Sequence, residues 1–448
     1  MGGSSVAPSL PMEFDDGLVL RNAVADDESA LTQLQAGVHA DPGGKPNAAV
    51  GAWTRDLFSG RHPTVGLEEI LVVEDRHAKT LASSLTLVPQ RWSYAGVSFG
   101  VGRVELVATH PDYRRRGLVD RLLRQLHDMS ARRGDLMQAI TDLMFFHGEL
   151  GYHMALTQRA GRGGDVRRLP PTDAPVRLRL ADESDLPELA DVDAHARRRS
   201  LLSCPRDGRQ WEYELTGRGR DSMVRDKIFS IDFAAGLVGY VVVGYGGIPT
   251  FPIPHWLPGL PCPEPTASVS RLELSPDVDW LEIAPSVLRQ LAGATGSAGY
   301  MLWLGEEHPA YDALGDALTR TPPHVGWFVR IGDMAAFLRR VAPALERRLS
   351  AGAARGFTGD LRLHCYTYGL ALRFDRGRLD GVEPWPDHSR RASDVSLPEQ
   401  MLVQLALGHA AFDQLAPAYP DCRMQTRIGR ALVPALFPRQ PSAIWPIT

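Results

Sequence analysis

At 448 residues the chain is too long for one core, and roughly 150 residues per domain suggests about three. Hydrophobic residues make up 44% and charged ones 23%, ordinary proportions for a globular protein. The formal net charge of -4 excludes a chain-wide nucleic-acid binder or polybasic membrane binder, and no run of ~18 apolar residues reads as a membrane span.

The opening MGGSSVAPSLPMEFDDG lacks the basic start and apolar middle of a signal peptide. It reads as a flexible tail over 1–16, on a chain expected in the cytoplasm. From Gly17, GLVLRNAVADDESALTQL reads as a strand, then a helix whose acidic start suits the helix dipole. Trp53, Phe58 and Trp92 could line a pocket, but isolated aromatics are more often core.

Next come a strand, VGRVELVATH, and the segment ATHPDYRRRGLVDRLLRQLHDMSARRG. From Gly117 this segment has a helical period, with Leu118, Leu122, Leu126 and Met129 along one face. Arg114, Arg115 and Arg116 crowd the helix start, where the dipole already favours anions. A bound polyanion reconciles the two. Backbone N–H groups at the helix start donate to it, Gly117 lets the backbone approach, and the arginines become counter-charges.

RAGRGGDVRRLPPTDAP, Arg159 to Pro175, marks a first break between domains. Beyond it PVRLRLADESDLPELADV repeats the pattern seen from Gly17, and SRLELSPDVD (Ser270–Asp279) matches GRVELVATHP (Gly102–Pro111). Their shared order makes duplication the better reading. The second copy has no counterpart of RRRGLV. GYGG near Gly244 lacks the strand–helix setting of a dinucleotide loop.

A softer break spans Leu345 to Asp360. The third piece alternates strands around a turn at Arg376-Gly377. A helix follows, with Ser396 as cap, Pro398 in its first turn and Glu399 three residues on. Its tail, LFPRQPSAIWPIT, has no charged side chain after Arg439. The pieces therefore run 17–165, 175–345 and 346–448, and the fold class is α+β. Cys204, Cys262, Cys365 and Cys422 are scattered without a CxxC pair, so reduced thiols and no metal site are expected.

RRRGLV resembles the acyl-CoA pyrophosphate loop of the GNAT superfamily, with Val119 departing from the usual last position. It is closer to the RRRGLL of the enhanced intracellular survival acetyltransferases. That branch has two tandem GNAT-like domains, the second without a coenzyme loop, then a sterol-carrier-protein-like α+β domain, so the resemblance covers nearly the whole chain. It implies acetyl-CoA as co-substrate. Val107, Ala108 and Thr109 would lie beside the pantetheine arm. Arg115, Arg116, Gly117, Leu118, Val119 and Asp120 would wrap the pyrophosphate, with Thr141 and Asp142 as further contacts.

For the general acid the family uses a Tyr in a segment like YGRFGY. Here FFHGELGYHMAL, counted back from Gly151-Tyr152, puts His147 in its place; a shift of one residue puts Phe146 there and leaves Tyr152 or water. An imidazole has an ordinary pKa of ~6.5 and could do the protonation. The family's base is the terminal carboxylate, which here belongs to Thr448. The acceptor implied is a small amine, aminoglycoside- or polyamine-like, taken by direct attack on the thioester. A homo-oligomer, of which a hexamer is one form, is implied too. The rivals are a non-catalytic sensor of acyl-CoA or an apolar ligand, and a transferase with another acyl donor.

Overall fold

A computed structural model describes residues 10–14, 16–40, 44–141, 148–234, 236–244, 266–386 and 389–448. Asp142 and His147 therefore lie outside the described residues. Within the described residues the chain is mixed α+β, with its strands in three sheets.

The first sheet begins with β1 (Met12–Glu13), β2 (Leu18–Asn22), β3 (Ile70–Asp75), β4 (Thr80–Tyr94), β5 (Val97–Thr109), β6 (Met137–Thr141) and β7 (His153–Arg159). Helices α1 (Glu28–Val38) and α2 (Ala48–Phe58) cover one face, and α3 (Leu118–Arg132) covers the other. Leu118, Leu122 and Leu126 are buried along α3, as its period requires, and Met129 is half-buried. Met12 and Glu13, placed by sequence in the tail, pair with Leu20 and Val19 as an edge strand.

The second sheet is built from β8 (Arg162–Asp165), β9 (Arg177–Leu180), β11 (Asp226–Phe233), β12 (Gly236–Gly244), β13 (Thr266–Leu274) and β14 (Gly299–Leu302). The short β10 (Leu202–Ser203) instead joins β4 of the first sheet. Helices α4 (Leu186–Ala196), α5 (Gly208–Glu212), α6 (Trp280–Thr295) and α7 (Pro309–Leu314) belong to this region. The two sheets share a plan. β5 runs antiparallel to β4 and parallel to β6, as β13 does to β12 and β14.

They also exchange strands. β15 (Val325–Arg330), from the segment after the second sheet, inserts between β6 and β7 of the first. β8, from the end of the first piece, pairs with β14 of the second. Trp327 and Val329 of β15 are consequently buried in the core under the first sheet.

Helix α8 (Met334–Ala351) follows and runs unbroken across position 345, because Val341, Leu345 and Leu349 continue its buried face. The third sheet holds β16 (Gly359–His364), β17 (Gly369–Asp375), β18 (Arg378–Pro384), β19 (Val395–Ser396) and β20 (Arg423–Met424). Arg376 and Gly377 have φ of 47° and 83°, the two left-handed residues a tight hairpin needs. Helices α9 (Glu399–Ala406), α10 (Phe412–Ala418) and α11 (Arg427–Leu436) complete the chain. Ser396 is not the cap expected of it. It pairs in β19 with His364 and Arg423, and Pro398 takes the cap position of α9. Strand pairing outcompetes the local capping signal.

Candidate active site

Strand β5 sets the site. Its pairing with β4 shifts between Ser84/Ala108 and Thr86/Glu105, so Leu106 and Val107 face the single residue Leu85. This is a β-bulge, and Leu106 stands at φ 50°, a left-handed conformation that costs a branched residue about 1–2 kcal/mol. Gln35 of α1, buried, holds the bulge by donating to the Leu106 carbonyl at 2.5 Å and to Ser84 Oγ at 2.9 Å.

Parallel pairing of β5 with β6 ends at Arg103/Ala139. Beyond it the strands part. The His110 N–H donates to Ala82 O on the β4 side, so alternation turns Val107 and Thr109 toward the gap on the other edge. Ala108, between them, is buried toward α1 and α2. Thr141 ends β6 across the gap, opposite Trp327 of β15. Of the three β5 residues named from sequence, Val107 and Thr109 turn toward the gap and Ala108 aligns with Ser84 of β4; the bulge itself had no sequence signal.

The helix start lies at the end of the same strand. Gly117 is the N-cap of α3 at φ 70°, with no side-chain cap, and a Cβ there would meet nothing within 4 Å. Arg115 is also left-handed, at φ 62°. Such turns aim successive N–H groups into a concavity that suits anions. Arg116 pairs with Asp16 and stacks on Tyr113, and Asp120 pairs with Arg124 at 2.9 Å. Arg114 and Arg115 have no carboxylate in ion-pair reach among the described residues. The duplicated element supplies the control: α6 starts at Asp279, whose own carboxylate accepts from Leu281 N. The second helix start carries its anion; the first leaves room for one. The residues present therefore fit an acyl-CoA pyrophosphate at α3.

On the α1/α2 side of the sheet, a cleft of about 140 Å³ opens between the two sheets and takes in the tail from Ser442 to Thr448. Arg103 of β5, buried and paired with Glu105, donates to Ile447 O at 3.2 Å and to Thr448 Oγ1 at 2.9 Å. Gln90 donates to Ile447 O at 2.8 Å. Arg218, paired with buried Glu214, donates to the Thr448 main-chain oxygen at 3.1 Å. Burial opposes both charges of that pair, but each holds the other: Arg218 stays raised and Glu214 lowered. Trp445 sits 3.5 Å from the Arg206 guanidinium. None of these arginines was singled out from sequence, because they reach the tail from positions more than 220 residues away. The one local signal was a charged Arg-x-Glu pair inside an otherwise apolar strand.

Tyr152 lies on the far face of the sheet, buried under α3 with its hydroxyl 2.9 Å from His127 Nε2. Trp53 and Trp92 are core residues. Among the described residues no group of three or more His, Cys, Asp or Glu could hold a metal, and no helix is long and apolar enough to cross a membrane.

The sheet is splayed at a bulge, and an uncapped helix start lies beside it. Residues 20–155 match the family described as acetyltransferase (GNAT) domain. No curated protein sequence matches the chain. Solved structures similar in fold include an Enterococcus faecalis V583 protein of unknown function described as a probable N-acyltransferase, with TM-score 0.66, 12% identity, and 95% of this chain and 98% of that one covered. A GCN5-related N-acetyltransferase from Kribbella flavida gives 0.64, 16%, 95% and 97%. Eis1 from Mycobacterium abscessus gives 0.57, 18%, 95% and 99%.

Proposed function

We propose that this protein transfers the acetyl group of acetyl-CoA directly to the amine of a small acceptor bound in the cleft between the first two sheets. The observation that carries the reading is the contrast between the two helix starts: Gly117 open and flanked by arginines, Asp279 closed by its own carboxylate. Acetyl-CoA, when bound, supplies the thioester to be attacked.

The chain's residues meet two of the chemical demands. The unpaired edge of β5 at Val107 and Thr109 offers backbone donors for the carbonyl oxygen as charge develops on it. The terminal carboxylate of Thr448, held in the cleft by Arg218, takes the proton from the amine. His147, in the role of acid toward the departing thiolate, lies outside the described residues. The third domain, read as sterol-carrier-like, serves here to deliver the tail.

The aminoglycoside- or polyamine-like acceptor remains the class that the sequence resemblance implies. The Thr448 carboxylate favours it; Arg103, Arg218 and Arg271, which all line the cleft, oppose it. Arg218 also favours a second reading, in which the first domain binds acyl-CoA without turnover, because an arginine-paired carboxylate is a weaker base.

One added glycine after Thr448 separates the readings. It moves the carboxylate by about 3.5 Å. Transfer predicts that acceptor-dependent thiol release falls about 100-fold while CoA affinity is retained. Unchanged release would remove Thr448 from the mechanism.

A further inference from the structure

The duplicated strands place two equivalent arginines on one cleft. In the repeat, Arg103 of β5 matches Arg271 of β13 and Glu105 matches Glu273, and both arginines line the cavity that holds the tail. Their partners differ. Arg103 binds Glu105, the Ile447 carbonyl and the Thr448 hydroxyl. Arg271 reaches Glu273 only at 4.0 Å, and that carboxylate is already engaged by Arg199 and, at 3.6 Å, by His308.

Among the described residues Arg271 makes no hydrogen bond, although its side chain is only 12% exposed. Its guanidinium lies 5.6 Å from the Trp445 ring. Its donors have no hydrogen-bond acceptor among the described residues and open on the cleft, and its planar fork matches a carboxylate. Trp303, Trp327 and Trp445 give the same cleft an apolar lining.

We propose that Arg271 binds a carboxylate on the acceptor, so that the substrate is a small amino acid-like molecule carrying its amine and an acidic group together. This rests on the transfer reading above and narrows it. In such a complex the carboxylates of Thr448 and Asp226, which also line the cleft, would meet the ammonium, Arg271 the acidic group and the tryptophans the body. A polycation would meet Arg271 as a like charge.

The test pairs alanine, phenylalanine and glutamate each with its α-carboxamide, and adds spermidine, in a thiol-release assay with acetyl-CoA and the full chain. At least one acid should exceed its amide about tenfold or more in kcat/KM, and Arg271→Gln should bring that pair within about threefold, with partial return in Arg271→Lys. A binding arm needs no turnover: the N-acetylated acids and amides are titrated calorimetrically into the CoA-saturated protein. Acids that bind more tightly than their amides only when Arg271 is present support the proposal, even if no amine releases thiol; that result would overturn the transfer reading alone. Acids that bind no better than amides, or a preference for spermidine, overturn the proposal.

Discussion

At the scale of single residues the tail arginines decide what Thr448 can do. Arg218 is held charged between Glu214 and the Thr448 oxygen, so Arg218→Gln leaves buried Glu214 with less compensation and the tail with one anchor fewer. We expect a stability loss of about 3 kcal/mol or more, read from a urea midpoint, because breaking a buried pair strands its partner. A loss below about 1 kcal/mol would mean that Arg206 alone satisfies Glu214. His62, packed edge-on against Tyr213, gives a pH signature. Burial, then the Arg218 charge, push it down to about 3. It stays neutral in the fold below the ordinary value of ~6.5, so the unfolded chain gains a proton that the folded one does not, and stability falls as pH drops from there toward 3. At pH 5 this one group costs about 2 kcal/mol. His62→Asn keeps an acceptor for the Thr64 and Val65 amides, and its stability should change less between pH 7 and pH 5. Parallel pH slopes for the two proteins would contradict this.

At the scale of elements, the β5 bulge and the α3 start are separable parts of one site. Gln35 is the bulge's only described side-chain clamp on the Leu106 carbonyl. Gln35→Ala leaves that buried carbonyl without its donor and should cost about 1–3 kcal/mol, with a fall in transfer rate larger than any loss of CoA affinity. Equal losses in both would put the bulge in coenzyme binding rather than in alignment of the thioester. Elements of this kind were unequally legible. The α3 face and the Arg376-Gly377 turn were readable because a helical period and a left-handed pair are local facts. The bulge was not, since Leu106 carries no glycine to advertise its φ. Ser396 misled because a good capping box also tolerates a strand, and β16 offered a partner.

At the scale of the molecule, the exchange of β8 and β15 ties the first two sheets together. VGWFVR (Val325–Arg330) was not singled out from sequence, and no local pattern says which sheet will take it. Length and repeats suggested three pieces, but not the exchange of strands between the first two sheets, because pairing between residues nearly 200 apart leaves no periodic trace. The exchange predicts that residues 17–165 expressed alone lack the neighbour of β6 and expose its edge. Such a fragment should be insoluble or unfolded, and the whole chain should lose both sheets in one urea transition followed by circular dichroism and tryptophan fluorescence. Two well-separated transitions, or a folded fragment, would contradict the interlocked reading.

Gly117→Asp probes whether the start of α3 holds the coenzyme pyrophosphate. The substitution gives the first helix start the carboxylate that Asp279 gives the second, at a position where a Cβ meets nothing and aspartate tolerates the positive φ. Calorimetric titration of CoA into wild type and variant, with the melting temperature as control, is the measurement. Affinity should weaken by tenfold or more (about 1.4 kcal/mol) at nearly unchanged stability if the pyrophosphate sits there. Equal affinity in the two proteins would place the pyrophosphate elsewhere and leave the arginines at 114–116 a solvated patch.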